Sequence, residues 1–409
     1  FRNYLIHNYK KHNYNKENGS MNELAKYIDF GQGVANPGYI WNIKDVMKRA
    51  EAGEKLTIGF IGGSITQGSL SSTPQKCYAY LVYEWWVRTF PQAEFKYVNA
   101  GIGGTTSQFG VARAQDDLLD AEPDFVIAEF SVNDESTGHF EETYEGLVRK
   151  ILSSKSHPAL MLVHNVCYNN GASAELVHSR IARHYNIPSV SMQSTLYKAL
   201  LNCRFDNRRI TPDDLHPNDC GHELVSMVIT KRLEQIKNMV KAEYETAKSQ
   251  RATAQPDAGA AVLLPEPLTA NAYEDSVRYQ NYNSTPELDS FKADMSEQRD
   301  ITDCFKKGYT ASGNGACITF KVKGSCIAVQ FRKTIHKPAP VAVAVIDGDE
   351  ANAVTLDANF DETWGDKLEL YTLLEHGENK EHTVQIKLVK TSEADASEFY
   401  LVSVIASGR

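Results

Sequence analysis

A serine, a histidine and an aspartate carry the most chemistry in this 409-residue chain. Ser64 stands in "TIGFIGGSITQGS", residues 57–69, where an apolar run ends at two glycines. A free hydroxyl is scarcely ionised at neutral pH and becomes a useful nucleophile only beside a base. The stretch "PDDLHPNDCGH", residues 212–222, offers His216. Pro217 biases His216 away from helical angles, which leaves the imidazole on a loop and free to face a cleft. Asp213, three residues upstream, is close enough to accept from one imidazole nitrogen and fix the tautomer. That is the orienting role of the third member of a serine triad. Asp214 competes for it. Acyl transfer also needs donors for the developing oxyanion. "NAGIGGTTS" (99–107) supplies Gly104 for a backbone N–H, and "EFSVNDE" (129–135) supplies the Asn133 amide.

Alone, each piece has a plainer reading. Gly-Gly-Ser is a turn, "DDLHPN" a helix cap with Asn218 or Asp219 at its start, and Asn133 a buried amide serving backbone groups. Together they ask for elements that bring strand ends to one place. The strand candidates are 56–61, 95–99, 124–131, 159–164 and 187–191. Helical patterns lie near 77–90, 107–120, 141–154 and 173–185, and a long one at 219–241. Alternation of this kind predicts a three-layer α/β/α domain around a parallel sheet. Its ligand site lies at the carboxyl ends of the strands. Gly62 and Gly63 permit the tight turn that would set Ser64 there.

The remainder changes character. Residues 242–269, rich in Ala, Pro and small polar residues, read as a linker or wrapping segment. Beyond 270 the hydrophobic period becomes two. "ACITFKVKG" and "SCIAVQFRKT" flank Gly324-Ser325 and predict a hairpin. "PVAVAVIDG", "LELYTLL", "HTVQIKLVK" and "FYLVSVIAS" continue the series, so residues 270–409 read as an all-β sandwich, jelly-roll-like. The catalytic domain is then 21–241, and residues 1–20, which end in the Gly-Ser before Met21, read as a tag or disordered leader.

Composition narrows the partners. With 43 basic against 52 acidic side chains and no basic patch, nucleic acid is a poor partner. No apolar run approaches the ~20 residues that cross a bilayer, which argues against a membrane partner. Seven scattered cysteines without CxxC spacing suit neither a disulfide framework nor a zinc site. Reduced thiols in a cytoplasmic protein are the simplest account.

The four blocks, in this order, resemble those of the SGNH/GDSL hydrolase superfamily: "GGSIT", "NAGIGGTTS", "SVND" and "DDLHPN". The resemblance spans roughly residues 40–240. It implies Ser64 as nucleophile, His216 as base and Asp213 as orienter, since the family's acid precedes its histidine by three. The Ser64 amide, Gly104 amide and Asn133 side chain would form the oxyanion hole. Gly63 stands where the family usually has Asp, and Val132 where it often has Gly. The longer stretches "NAGIGGTTSQFGVAR" and "DDLHPND" resemble carbohydrate O-acetyl esterases. Hydrolase first and sandwich second is similar to the mannooligosaccharide acetyl esterases of carbohydrate esterase family 17. In those the sandwich resembles a carbohydrate-binding module and helps cover the active site.

The implied activity is removal of acetyl groups from oligosaccharides through an acyl-enzyme, with no metal or organic cofactor. An acetylxylan esterase, a short-chain lipid or thioester hydrolase on the same fold, and an inactive carbohydrate-binding protein are the alternatives. Two further residues are candidates for substrate contact. Trp364, in the polar stretch "NFDETWGDK", could stack on a sugar ring or plug a domain boundary. His139, in "STGHF", would lie on a loop beside the pocket. Trp85 and Trp86, at helical spacing with Tyr78 and Leu81, read as core.

Overall fold

The computed structural model describes residues 22–250 and 264–408. Residues 1–20, read above as a tag or leader, lie outside them, as do residues 251–263 of the predicted linker. The chain forms two compact units. The first comprises 1–107 and 114–269, and the second 108–113 and 270–409.

In the first unit six strands form one sheet: β1 (Val34–Asn36), β2 (Lys55–Gly62), β3 (Glu94–Gly101), β4 (Phe125–Glu129), β5 (Ala159–His164) and β6 (Ser189–Ser191). Their order is β1-β6-β5-β4-β2-β3. Five strands are parallel, and β1 pairs antiparallel with β6 as an edge. The predicted sheet lacked β1, because three residues carry no alternation to read. The helices are α1 (Trp41–Glu51), α2 (Ser64–Gln67), α3 (Tyr78–Thr89), α4 (Ser107–Asp117), α5 (Gly138–Leu152), α6 (Glu175–His184), α7 (Lys198–Leu201) and α8 (Asp219–Gln250). α1 was not predicted. α8 runs past residue 241, so the segment read as linker begins as helix.

Parity along the strands explains the layers. Ile58, Phe60, Phe125, Ile127, Met161 and Val163 share one core with α1, α3 and α8. The intervening Val126, Ala128, Leu160 and Leu162 are also buried, so both faces are covered and the strands read as continuous apolar runs. α3 buries Tyr78, Val82, Trp85 and Trp86, which are spaced four, three and one apart, as one stripe. Truncating Trp86 to alanine would cost about 3–5 kcal/mol.

The second unit is a sandwich of antiparallel sheets around one apolar core. The hairpin predicted at Gly324-Ser325 is not formed. Strand Cys317–Gly324 pairs with Lys380–Lys390 and Glu287–Asp289 in one sheet. Strand Cys326–Lys333 pairs with Lys367–Leu374 and Phe399–Ser407 in the other. The chain crosses between sheets at Ser325, whose N–H donates to Ser407 O at 2.8 Å. Both strands are apolar enough to face the shared core. Ser325 alone separates them, too little for a two-residue hairpin loop.

Among the described residues no helix is long and apolar enough to cross a membrane. The seven cysteines are free thiols.

Candidate active site

The sheet order puts β2 between β4 and β3, with Gly62 level with both Glu129 and Gly101. The turns after these strands therefore open side by side, at the carboxyl ends where α/β sheets bind ligands. They carry Ser64, Gly104 and Asn133.

Ser64 opens α2, a four-residue turn of helix, and is buried. The turn is locked from several sides. Gly68 N and Ser69 N both donate to Ser64 O at 3.0 Å. Asn99 Nδ2 donates to Thr66 O at 2.8 Å, and Thr66 Oγ1 lies 2.8 Å from Tyr78 Oη. The backbone of β3 passes so close that a β-carbon on Gly101 would fall 2.2 Å from Gln67 N.

His216 comes from the loop before α8. Asn218 ends that loop by capping the helix, its Oδ1 accepting from Gly221 N at 3.0 Å. Asp213 Oδ1 accepts from His216 N at 2.8 Å and Leu215 N at 3.1 Å. Its other oxygen accepts from His216 Nδ1 at 2.6 Å. With Nδ1 carrying the proton, Nε2 keeps a lone pair, and Ser64 Oγ donates to it at 2.9 Å. Burial works to raise the Asp213 carboxyl. The hydrogen bonds from the His216 side chain and from the two backbone amides outweigh it, so its pKa is lowered. Asp214 points elsewhere: Asn207 Nδ2 and Arg208 Nη2 donate to it at 2.5 and 2.9 Å. This relay can carry the Ser64 proton to His216 while Asp213 steadies the resulting imidazolium.

Gly104 sits at φ +68° with open space on its Cβ side. Its neighbour Gly103 donates to Gln67 Oε1 at 2.6 Å, which ties this loop to the Ser64 turn. Asn133 lies in a turn closed by Asn133 N and Asp134 N, both donating to Phe130 O. Asn133 Oδ1 occupies the space that a β-carbon on Gly63 would fill, only 2.2 Å from it. That leaves Nδ2 as the end of the amide turned away from Gly63.

The GDSL-like Lipase/Acylhydrolase family matches residues 60–224. A crystal structure of a two-domain esterase (CEX) active on acetylated mannans, co-crystallised with mannopentaose, is 60% identical. The match covers 93% of this chain and 98% of that one, with a TM-score of 0.86. A second crystal structure of a two-domain esterase (CEX) active on acetylated mannans gives the same identity and TM-score. The chain belongs to the GDSL-like lipase/acylhydrolase family. It is a carboxylic ester hydrolase, an α/β domain followed by a β-sandwich. Thioesterase 1/protease 1/lysophospholipase L1 of Escherichia coli (strain K12) is 26% identical over 201 residues, 46% of this chain and 88% of that protein.

Both departures from the family's pattern have local causes. Gly63, in place of the usual Asp, makes room for Asn133 Oδ1. Val132, in place of Gly, packs against the main core. Of the two candidates for substrate contact, His139 is not on a loop. It lies in the first turn of α5, whose start is moved back by Thr137, an N-cap accepting from Phe140 N at 3.4 Å. Trp364 lies in the second unit, 62% exposed, with its ring edge-on to Phe360 at 5.1 Å.

Several positioning side chains were not read from sequence. Asp219 accepts from Ser72 N, Ser72 Oγ and Lys76 Nζ, each at 2.7 Å, fastening the loop beyond Ser64 to α8. His222 accepts from Tyr78 N at 3.3 Å through Nδ1 and donates to Ser69 O at 3.2 Å through Nε2. Their signal is a polar residue in the first turn of a helix, which many caps share.

Burial pushes the His222 imidazole down to about 4. Between that value and the ordinary ~6.5 the unfolded chain binds the proton and the folded chain does not. Stability is thus fully present above about 6.5 and falls as pH drops towards 4. His222→Gln should show a shallower fall of Tm from pH 7 to pH 5 than the wild type. Parallel Tm–pH curves for the two proteins would refute the assignment.

Proposed function

We propose that the protein is a carbohydrate O-acetyl esterase acting on acetylated mannooligosaccharides, with Ser64 as nucleophile, His216 as base and Asp213 as orienter. His216 takes the Ser64 proton as Oγ attacks the acetyl carbonyl. The Ser64 and Gly104 amides and Asn133 Nδ2 hold the oxyanion. His216 then protonates the leaving sugar oxygen, and the acetyl group stays on Ser64. A water, deprotonated by His216, releases acetate. The observation that carries the substrate class is the 60% identity, over nearly the whole length of both chains, to an esterase active on acetylated mannans. The exposed Trp364 ring is offered as a sugar-stacking face of the second unit. Seven free thiols support a reducing compartment, the cytoplasm.

Mass spectrometry of acetylated mannan, xylan and chitin oligosaccharides after incubation tests the substrate. Mannooligosaccharides should lose acetyl groups fastest, and equal or greater loss from xylan oligosaccharides would overturn that choice. Asn133→Ala tests the oxyanion role. Loss of one such donor costs about 3 kcal/mol in the transition state, or roughly 10²–10³ in kcat. KM should change little. A variant that lost substrate affinity and kept turnover would make Asn133 a substrate contact instead.

A further inference from the structure

Asp134 follows the oxyanion candidate Asn133, yet it takes no part in the relay. Its side chain is fully buried. Oδ1 accepts from Ser107 N, the first residue of α4, at 2.9 Å. Thr106, the residue at the cap position, gives α4 no side-chain bond, so the cap arrives from another loop. Oδ2 accepts from His178 Nε2 on α6 at 3.1 Å. The His178 ring is in turn stacked on Tyr144 of α5, with centroids 3.6 Å apart. Ser107 lies three residues beyond Gly104, and Asp134 is bonded in sequence to Asn133. One buried carboxylate therefore joins the two loops that carry separate oxyanion donors, and two helices hold it still.

We infer that Asp134 is the positioning residue of the oxyanion hole: by capping α4 through Ser107 N while anchored by His178, it sets the spacing between the Gly104 amide and Asn133. The inference rests on the oxyanion assignment proposed above. Its physical basis is that donors must sit within hydrogen-bond reach of an oxygen that gains charge only in the transition state. A displacement of about 1 Å can cost ~10²-fold in rate. Substrate in the ground state makes little use of that spacing, so affinity should not follow.

The test compares Asp134→Ala, Asp134→Asn, Ser107→Pro and Ser107→Ala on a small activated acetate ester. Inhibition by methylboronic acid is read in parallel. The boronic acid adds the Ser64 oxygen to boron and places a tetrahedral B–O group where the oxyanion forms. Asp134→Ala should lower kcat about 100-fold and leave KM within about twofold. The inhibition constant for the boronic acid should rise by a similar factor. Asp134→Asn keeps an oxygen for Ser107 N. Its amide nitrogen then faces His178, whose otherwise unpartnered Nδ1 can carry the ring proton so that Nε2 accepts, and the variant should recover most of both. Ser107→Pro deletes the N–H donor where helices accept proline, after an extended Thr106 (φ −101°, ψ 173°). It also deletes the hydroxyl that bonds Thr143 Oγ1 at 2.7 Å, so it is read against Ser107→Ala, which loses the hydroxyl alone. Ser107→Pro should reproduce Asp134→Ala, and the double variant should be no worse than either single one.

A folded Asp134→Ala enzyme with kcat within threefold of wild type overturns the inference. So does a loss of kcat with unchanged boronic acid inhibition, or additive losses in the double variant. If Asp134→Ala does not fold, Ser107→Pro decides, because it leaves the carboxylate to His178. Failure of the boronic acid to inhibit the wild type, or full activity in Ser64→Ala, would instead bring down the underlying catalytic assignment and this inference with it.

Discussion

Ser64→Ala is expected to lower kcat on a short acetate ester by about 10⁴ or more, with the fold unchanged. The substitution removes one oxygen atom. That atom bonds to His216 Nε2, while the contacts that hold the turn use the Ser64 carbonyl, Thr66 and Gln67. Alanine fits the helical angles of α2 at least as well as serine. Tm should therefore stay within a few degrees, and KM for a small ester should change little. The residual rate would come from the oxyanion donors acting on a water-mediated attack. Circular dichroism and Tm establish that the variant is folded, and initial rates then decide. A folded Ser64→Ala enzyme within tenfold of wild type would remove Ser64 from the reaction and leave the His216 relay without an attacking atom.

The relay was legible in the sequence because its parts are local. Asp213 and His216 sit three residues apart, so one loop makes their contact, and Pro217 biases that loop away from helix. Ser64 was legible because an apolar run that stops at Gly-Gly marks the end of a strand. The glycines themselves adopt no left-handed angles and are required by close neighbours, Thr66 Oγ1 at Gly62 and Asn133 Oδ1 at Gly63. What escaped depends on contacts between distant segments. Asp134 closes the block "SVND" but carried no assignment there, and its role appears only once β4 and β3 flank β2 and bring Ser107 beside it. Gly63 read as a departure from a pattern until Asn133 Oδ1 was found in the space a side chain would need. The edge strand β1 is too short for periodicity to register. The misplaced hairpin has a related cause. Alternation tells which residues of Cys317–Gly324 and Cys326–Lys333 face a core, but not which sheet each strand joins. His139 shows the remaining limit, since one cap, Thr137, moved the start of α5 by a turn.

Asp213→Asn and Asp214→Asn should separate by orders of magnitude, although they are adjacent and lose the same charge. At position 213 the asparagine oxygen can still accept from Leu215 N and His216 N, so the loop should keep its shape. The amide nitrogen then faces His216 Nδ1, where a donor meets a donor. The imidazole escapes by carrying its proton on Nε2, which leaves no lone pair for the Ser64 proton. The same replacement in a comparable triad costs about 10⁴ in kcat. Position 214 answers to different partners. Its carboxylate receives Asn207 Nδ2 and Arg208 Nη2, and an asparagine oxygen can still accept one of them. Asp214 sits at φ +70°, a region asparagine tolerates well. The lost pair with Arg208, whose side chain is 54% exposed, is of the kind worth about 1 kcal/mol or less. Asp214→Asn should thus keep kcat within about threefold and cost at most a few degrees of Tm. Both variants are to be assayed on the same short ester at pH 7 and at a higher pH, after folding is confirmed. Small and equal effects would mean that neither carboxylate orients His216. A large loss confined to Asp214→Asn would transfer the role to Asp214, against the 2.6 Å contact that favours its neighbour.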